Sequence, residues 1–254
     1  MSIAVIGSNN TDLITYITRM PVEGETIEAL DFEIGFGGKG SNQAIAAAKL
    51  GTKVTMVTCV GDDAFGETYL QNYRNNGIDT SFVKQVHGTS GVAPIFVDQD
   101  SHNSIIIVKG ANKGLTPKDL EEAADAISEC SLIVLQLEIA FETVKAAIAL
   151  GNRLGIPVLL NPAPATKELD LALAAKCQYV MPNETELELL TGLPTSTDDE
   201  VRVAAQVLLD AGCTNVIVTL GSRGVCWLSA DGGDVRLEQF PAKAIDTTGA
   251  GDAF

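Results

Sequence analysis

The last stretch of the sequence, Asp-Thr-Thr-Gly-Ala-Gly-Asp, combines small residues with carboxylates and ends at Asp252. Gly249, Ala250 and Gly251 leave room for their backbone N–H groups to converge on an anion, and a helix that begins there adds the positive end of its dipole. Asp252 follows at once and could accept a proton from an attacking hydroxyl group. An anion site beside a positioned base is the combination that phosphoryl transfer needs. The structural alternative is an ordinary helix start with one acidic residue in its first turn.

A second candidate is the glycine-rich loop 35–40, Gly-Phe-Gly-Gly-Lys-Gly, which opens a predicted helix. The loop satisfies the G-x-G-x-x-G fingerprint of dinucleotide binding, but an irregular β segment separates it from the first strand, where that fingerprint belongs. It is not a Walker A loop, because Glu33 occupies the place of the first glycine and Gly40 follows the lysine. Its glycines let a ligand approach the backbone, and Lys39 and Asn42 offer donors that suit vicinal hydroxyl groups. An NAD-linked oxidoreductase is therefore only a remote alternative, and a plain turn into a helix is the structural one.

Composition restricts the class of protein. The 254 residues are 46% hydrophobic, enough for a sizeable core, and the formal net charge of −16 disfavours nucleic acid and anionic membranes as partners. The sequence enters a strand pattern at residue 3 and contains no apolar run of about 18 residues, so neither a signal peptide nor a membrane span is predicted. An odd number of cysteines without a C-x-x-C pair is typical of reduced thiols, and we expect a cytoplasmic protein with small buried cysteines.

Short apolar runs rich in valine and isoleucine alternate with amphipathic helical stretches along the chain. Runs of this kind are buried on both faces, which predicts an α/β fold with a doubly wound, mostly parallel sheet flanked by helices. The predicted strands of this sheet are residues 3–7, 54–60, 132–137, 156–160, 179–181 and 215–220. Thr116 and Asn183 stand where helix N-caps are expected, and Gly192 where a helix should end.

Two segments, approximately 13–34 and 82–108, interrupt this rhythm with alternating β-type residues and turn residues. They predict a small accessory β-sheet outside the main one. Placed over the carboxyl ends of the parallel strands, where open α/β sheets bind ligands, such a sheet would be a lid that excludes water from a transferred phosphoryl group. A structural extension used for dimer contacts is an equal alternative, and one sheet could serve both purposes. Residues 1–254 are thus predicted to form one domain with the lid inserted in it.

Taken together, these segments resemble the ribokinase-like, or PfkB, carbohydrate kinases, and within them the ribokinase and deoxyribokinase branch. The resemblance follows the whole chain in order. Its motifs are Gly7-Ser8-Asn9-Asn10-Thr11-Asp12, Gly37-Gly38-Lys39-Gly40-Ser41-Asn42-Gln43-Ala44, Gly61-Asp62-Asp63, Gln136-Leu137-Glu138, Asn161-Pro162-Ala163-Pro164-Ala165, Pro182-Asn183-Glu184-Thr185-Glu186, Thr219-Leu220-Gly221-Ser222-Arg223-Gly224 and the closing stretch 246–252.

The resemblance implies a role for each matching residue. It implies that the sugar hydroxyl groups are bound by a polar set, namely Asn10, Asp12, Gly38, Lys39, Gly40, Ser41, Asn42 and Glu138. It implies that Asp252 is the base and contacts the sugar, beside an anion hole at Gly249, Ala250 and Gly251. Contacts with the nucleotide are implied at Asn183, Glu186, Thr219, Leu220, Gly221, Ser222, Arg223, Gly224 and Gly251. It further implies that Glu186 holds Mg²⁺ through water, and that Asp246 and Thr248 help to hold a monovalent cation, K⁺.

The function implied is ATP-dependent phosphorylation of a pentose at its 5-hydroxyl group. Ribose ranks narrowly before 2-deoxyribose, and both rank before the other sugars and nucleosides of PfkB-type kinases. A non-catalytic sugar-binding module is a remote alternative. The implied partners are the sugar, ATP and a second copy of the chain bound through the lid sheet. Relatives continue beyond the aspartate, so a chain that stops at Phe254 is expected to be truncated at its carboxyl end and to lack most of the helix that begins there, because the two residues after the aspartate cannot form a turn by themselves. If it is the entire polypeptide, it is expected to be severely impaired as an enzyme.

Overall fold

The computed structural model describes residues 1–100, 102–240 and 249–254, and its strands form two sheets. The strands are β1 (Ser2–Ile6), β2 (Asn10–Tyr16), β3 (Asp31–Gly37), β4 (Lys53–Gly61), β5 (Asp79–Val86), β6 (Val92–Val97), β7 (Asn103–Ile105), β8 (Leu132–Leu135), β9 (Val158–Leu160), β10 (Tyr179–Val180), β11 (Asn215–Thr219), β12 (Val225–Ser229) and β13 (Asp234–Leu237). The α-helices are α1 (Lys39–Lys49), α2 (Ala64–Asn75), α3 (Pro117–Glu122), α4 (Ala124–Ser128), α5 (Phe141–Leu154), α6 (Leu171–Ala174), α7 (Glu184–Thr191), α8 (Asp198–Asp210) and α9 (Ala250–Ala253). Two 3-10 turns lie at Gly110–Gly114 and Gly221–Arg223.

The main sheet has nine strands in the order β13-β12-β11-β10-β9-β8-β1-β4-β5. The strands from β11 through β5 are parallel, and β12 and β13 extend one edge in antiparallel pairing. The prediction of a doubly wound, mostly parallel sheet is confirmed. All six predicted strands are present, because each is an apolar run with helices on both sides; four of the five residues of β1 are buried.

Alternate residues of the central strand β1 belong to two separate cores. Ala4 and Ile6 lie in the larger core, which includes buried side chains of α3, α5 and α8. Ile3 and Val5 lie in the smaller core, beneath α1 and α2. Since successive side chains of a strand point to opposite faces, the two cores lie on opposite faces of the sheet.

The predicted helix signals are confirmed. The Thr116 amide donates to Asp119 Oδ2 at 2.8 Å, and the Asn183 side chain and Glu186 form a reciprocal capping box with both bonds at 2.8 Å. Gly192 ends α7 in the left-handed conformation, with φ of 71°. In the described part of the chain, no helix has the length and apolar character needed to cross a membrane.

The smaller sheet contains β3, β2, β6 and β7 in that order and confirms the predicted second sheet. Its boundaries differ from the prediction, because β2 already begins at Asn10 and the second segment enters the sheet at Val92. Residues 82–86 were predicted to lie in the lid but belong to β5, which pairs with β4 at the edge of the main sheet. An edge strand is only partly covered, so its alternating pattern resembles that of a lid strand.

The carboxyl ends of the central strands create the crevice of this fold. β1 lies between β4 and β8, so the chain proceeds in opposite directions from the middle of the sheet. Ser8 follows β1, and Glu138 follows β8. In open α/β sheets, ligands bind where the strand order reverses in this way. At this same end, β2 carries the chain into the smaller sheet, which is the predicted lid sheet.

Candidate active site

The glycine-rich loop between β3 and α1 packs directly on the end of β1. Gly38 has φ of 84°, and a Cβ atom there would lie 2.6 Å from the backbone nitrogen of Asn10. A Cβ atom on Gly40 would lie 2.6 Å from the backbone nitrogen of Ser8. The glycines are therefore required by contact between two backbone segments as well as by any approaching ligand. The loop follows a lid strand rather than the first strand of a βαβ unit, so the dinucleotide interpretation fails.

Glu138 is the meeting point of this loop with the main sheet. Its side chain is 6% exposed, and its Oε2 atom accepts a hydrogen bond from the Lys39 amide at 2.9 Å and another from Ser8 Oγ. Three chain segments thus converge on one buried carboxylate. Ser8 belongs to the motif that follows β1 but is not among the predicted sugar ligands, and its place two residues after a buried central strand is the sequence signal for this role.

Asp12, on β2, lies near Glu138 and is affected by it. The pKa of Asp12 is raised to about 6. Burial is the larger cause, and the negative charge of Glu138 is the second. Two carboxylates provide several acceptors for hydroxyl donors. The structure therefore brings together two of the predicted sugar ligands from positions far apart in the sequence.

Asn10 is fixed by a residue that the sequence did not single out. Asn112 Nδ2 donates to Asn10 Oδ1 at 2.9 Å and to the Asn9 carbonyl oxygen at 2.8 Å. Asn112 Oδ1 accepts from the Asn9 amide at 3.0 Å, and the side chain is 1% exposed. Because Oδ1 of Asn10 is engaged, its amide donor must face the other way. The partners of Asn112 lie more than 100 positions away in the chain, and the local sequence around Asn112 does not reveal such contacts.

Asp252 is held against α1 by two neighbouring amides. Asn42 Nδ2 donates to Asp252 Oδ2 at 2.9 Å, and Gln43 Nε2 donates to Asp252 Oδ1 at 3.1 Å. Residues 250–253 form one helical turn after Gly249, whose φ is 70°. Tertiary hydrogen bonds from α1 supply the stability that so short a helical segment lacks by itself.

Two clefts meet at Gly249, which lines both. The first, of about 540 Å³, lies along α1 beside α2 and the smaller sheet, and is lined in part by Asp12, Phe36 and Asn42 and by Ala46 and Asn72. Asn10 and Glu138 line neither cleft. The second, of about 680 Å³, lies over the ends of β9 to β11. Predicted site residues on its walls are Lys39, Asn183, Glu186, Thr219, Gly221, Gly224, Gly249, Ala250, Gly251 and Asp252.

Glu186 shows how a capping residue can also face a cleft. Its side chain is 8% exposed and accepts from the Asn183 amide at 2.8 Å. Burial raises its pKa, an effect opposed by the Asn183 amide and Lys39 and reinforced by Asp252. Lys39, Glu186 and Asp252 are thus electrostatically coupled on the walls of one cleft.

Several predicted residues lie away from the cleft walls. Ser41 is fully buried, and its amide donates to the Ser8 carbonyl oxygen at 2.8 Å. Leu220 belongs to the larger core, and the Arg223 guanidinium pairs with Asp198 at 2.7 Å and with Glu184. Ser222 is exposed on the same turn. The two residues predicted to hold a monovalent cation, Asp246 and Thr248, lie outside the described residues.

Known proteins resemble this chain throughout its length. The sequence pattern of the pfkB family carbohydrate kinases matches residues 1–254. A deoxyribokinase of Salmonella typhimurium is 56% identical over 255 residues, which cover 100% of this chain and 83% of the relative. A ribokinase of Mus musculus is 41% identical over 255 residues, with 100% and 79% covered.

A solved structure agrees with these sequence relatives. The structure of Arabidopsis thaliana ribokinase complexed with ribose and ATP superposes with a TM-score of 0.92 at 32% identity. The match covers 99% of this chain and 82% of that one. The predicted resemblance is confirmed by a family pattern, by relatives and by a shared fold. This chain belongs to the pfkB family of carbohydrate kinases.

Proposed function

We propose that this kinase transfers the γ-phosphoryl group of ATP to the 5-hydroxyl group of a pentose. The position of Asp252 carries the proposal: it lies beside Gly249, where the two clefts meet, and its carboxylate contacts Asn42 of the first cleft. A hydroxyl group held in the first cleft and a terminal phosphate in the second would meet at this carboxylate. Transfer between the two requires that arrangement.

The sugar is proposed to lie between the lid and the start of α1. Asp12 and Glu138 offer acceptors, and the Asn10 amide, oriented by Asn112, offers donors. Each buried polar group that a sugar hydroxyl leaves unpaired would cost about 1–3 kcal/mol, so these groups favour a polyol over an apolar ligand. Asp252 would accept the proton of the attacking hydroxyl as its oxygen bonds to phosphorus.

The nucleotide is proposed to lie in the second cleft. The amides at Gly249, Ala250 and Gly251 begin a helix, and first-turn amides lack acceptors within their own helix, so they suit the oxygens of the transferred group. Glu186 fits a hydrated Mg²⁺, because carboxylate oxygens and water are the ligands this ion prefers. When bound, the ion would neutralise charge on phosphate oxygens. A monovalent cation at Asp246 and Thr248 stays a prediction.

The choice of pentose concerns a single 2-hydroxyl group. The sequence resemblance ranked ribose narrowly first, whereas 56% identity to a protein named deoxyribokinase supports 2-deoxyribose. We therefore place 2-deoxyribose first and ribose second. The values of kcat/KM for both pentoses, fructose and adenosine decide the order, and a preference for the hexose or the nucleoside would overturn the pentose assignment.

Asp252→Asn tests the proposed reaction. It keeps the shape of the side chain and the amide contacts on one oxygen but removes the proton acceptor, so kcat should fall by about 10² to 10⁴. Sugar affinity, measured by calorimetry without nucleotide, should change far less. Equal losses of turnover and of sugar affinity would contradict a role as base.

The proposal also includes the oligomeric state and the cellular compartment of the protein. The exposed apolar residues of β3 support a homodimer through the lid sheet, with Phe32 52% and Ile34 62% exposed. The five cysteines are buried and unpaired in the structure, which supports a reducing cytoplasmic environment.

A further inference from the structure

We infer that Gln43 is a positioning residue that anchors Asp252 Oδ1 and thereby leaves Oδ2 as the oxygen that takes the proton. The inference rests on the proposed function, because it specifies how the proposed base is held. Gln43 is the neighbour of Asn42 on α1 and is 7% exposed. Its amide nitrogen contacts Asp252 Oδ1 at 3.1 Å, a contact between residues 209 positions apart in the sequence.

The two carboxylate oxygens of Asp252 have different surroundings. Oδ2 contacts Asn42, and a Cβ atom on Gly249 would lie 3.9 Å from Oδ2 and 3.6 Å from Asn42 Nδ2. Asn42 lines the first cleft and not the second, so its partner Oδ2 is the oxygen on the side of the first cleft. Oδ1 instead faces the buried amide of Gln43. A base that must meet a hydroxyl in one place benefits from having its other oxygen fixed.

A chain of side-chain amides fixes the orientation of Gln43. Gln136, which is fully buried, donates from Nε2 to Gln43 Oε1 at 2.6 Å. The Gln43 amide group must therefore present its NH₂ to the other side. One hydrogen of that NH₂ serves Asp252 Oδ1, and the second serves Asn161 Oδ1 at 3.2 Å. Asn161 is oriented in turn by its own bond to the Met181 carbonyl oxygen at 2.9 Å.

These hydrogen bonds allow only one orientation of the Gln43 side-chain amide. If the Gln43 amide were reversed, its oxygen would face the carboxylate of Asp252 and the oxygen of Asn161, and its nitrogen would face the NH₂ of Gln136. The two contacts between oxygens would be repulsive because carboxylate and carbonyl oxygens only accept hydrogen bonds, and the contact with Gln136 would place two NH₂ groups together, which only donate. A neutral amide also suits this place, since a cationic donor would stabilise the anion and weaken it as a proton acceptor.

Three variants test the inference by turnover at saturating sugar and ATP. Gln43→Met keeps the size of the side chain but removes the donor, and kcat should fall roughly 10- to 100-fold while the sugar KM changes less than about threefold. Gln136→Met frees the Gln43 amide to rotate and should lower kcat by a smaller factor. The double variant should be no worse than Gln43→Met alone, because both changes act through the same contact.

Gln43→Glu tests the positioning role through the pH dependence of kcat, which a purely structural role of Gln43 would leave unchanged. A carboxylate facing Asp252 disfavours the ionised base, so the acidic limb of kcat against pH should move to higher pH by roughly one unit. In the described part of the chain, the other charged residues that line the cleft of Asp252 are Lys39, Glu184, Glu186 and Glu238, and none of them is altered. Gln206→Glu is the matched control, because Gln206 Nε2 likewise donates to an aspartate, Asp210, at 2.8 Å on an exposed face of α8. Its kcat and pH profile should equal those of the parent.

The outcomes separate this inference from the proposed reaction. If Asp252→Asn abolishes turnover while Gln43→Met keeps kcat within about twofold of the parent, the positioning role is wrong and the base assignment stands. If Asp252→Asn retains turnover, the base assignment itself is wrong. Circular dichroism and thermal midpoints establish that each variant folds, and should Gln43→Glu fail to fold, the Gln43→Met kinetics decide alone.

Discussion

Asp12 is the residue at which burial and charge repulsion act in the same direction. Burial first and the neighbouring Glu138 second raise its pKa to about 6. Glu138 receives hydrogen bonds from the Lys39 amide and from Ser8, and its negative charge disfavours the ionised form of Asp12. The candidate sugar site therefore contains a group that titrates close to neutral pH.

We expect sugar binding to depend on that titration. Above pH 6 Asp12 is ionised and accepts hydrogen bonds from hydroxyl groups, so the affinity for the sugar is high. As the pH falls through 6, Asp12 is protonated and the affinity for the sugar drops by up to about tenfold per pH unit. Calorimetric titration with pentose between pH 5 and 8, without nucleotide, measures this effect. Asp12→Asn should bind more weakly and lose the pH dependence. Glu186→Gln, which alters a titrating carboxylate of the other cleft, should retain it; an unchanged slope in Asp12→Asn would contradict the assignment.

The residues with the clearest chemistry could be predicted from the sequence, and their supports could not. Asp252 and Glu138 stand in short motifs whose residue types already suggest their roles. Asn112 and Gln43 act through partners 102 and 209 positions away, and nothing local distinguishes them from other amides. Leu220 and Arg223 lie in a matching motif, yet their side chains serve the core and a surface ion-pair network.

At the scale of elements, the junction of β1 with β2 joins the main sheet to the lid sheet. Asn112, in the turn Gly110–Gly114, bonds to both backbone groups of Asn9 and to the side chain of Asn10 at this junction. The side-chain amide thus replaces the pairing that a neighbouring strand would provide. One buried residue outside both sheets consequently stabilises the connection between them.

Asn112→Ala should weaken that connection. It leaves three buried polar groups without their partner, so the free energy of unfolding should fall by about 1–3 kcal/mol, and the sugar KM should rise because Asn10 is no longer oriented. Urea unfolding and steady-state kinetics measure the two effects. Asn75→Ala is the control: Asn75 is exposed and accepts a hydrogen bond from Gln71 on the surface of α2, so its effect should stay below about 0.5 kcal/mol. Equal effects of the two variants would argue against a special role for Asn112.

Two glycines at the ends of α1 allow the effect of backbone strain on stability to be distinguished from the effect of close contact. Gly38 and Gly51 have φ of 84° and 89°, but a Cβ atom would collide with the Asn9 and Asn10 backbone at the first and would meet nothing within 4 Å at the second. Gly51→Ala should therefore cost about 1 kcal/mol of unfolding free energy from strain alone. Gly38→Ala should cost at least twice as much and abolish sugar binding. Similar unfolding midpoints for the two variants would show that the loop can move away from β1.

The order of the elements was more predictable than their membership in a sheet. β1 and β8 read as apolar runs because they are covered on both faces, and helix starts such as Asn183 carry their own local chemistry. β5 was assigned to the wrong sheet, since partial cover gives it the alternation of a lid strand. Sheet membership depends on which distant strand supplies the hydrogen bonds, and local pattern does not encode that choice.

The whole molecule combines strong negative charge with apolar side chains that the smaller sheet exposes. The formal charge of −16 keeps copies of the chain apart at long range. Against this, the edge strand β3 exposes Leu30, Phe32 and Ile34 beside and along the lid, where unpaired strand edges invite association. Phe36, further along β3, instead packs edge-to-face on Tyr69, with ring centroids 5.2 Å apart. The apolar end of the lid is thus the surface best suited to a second copy.

We therefore expect a homodimer whose association strengthens with salt, because added ions screen the repulsion between protomers while apolar contacts persist. Sedimentation velocity across micromolar concentrations, at low and moderate ionic strength, measures the equilibrium. Ile34→Lys places a charge in the apolar surface and should yield monomers. Val203→Lys is the matched control, because Val203 is 61% exposed on α8, far along the chain from the lid, and its replacement should leave the dimer intact. A parent protein that stays monomeric under all these conditions, or equal behaviour of the two variants, would exclude the lid as the interface.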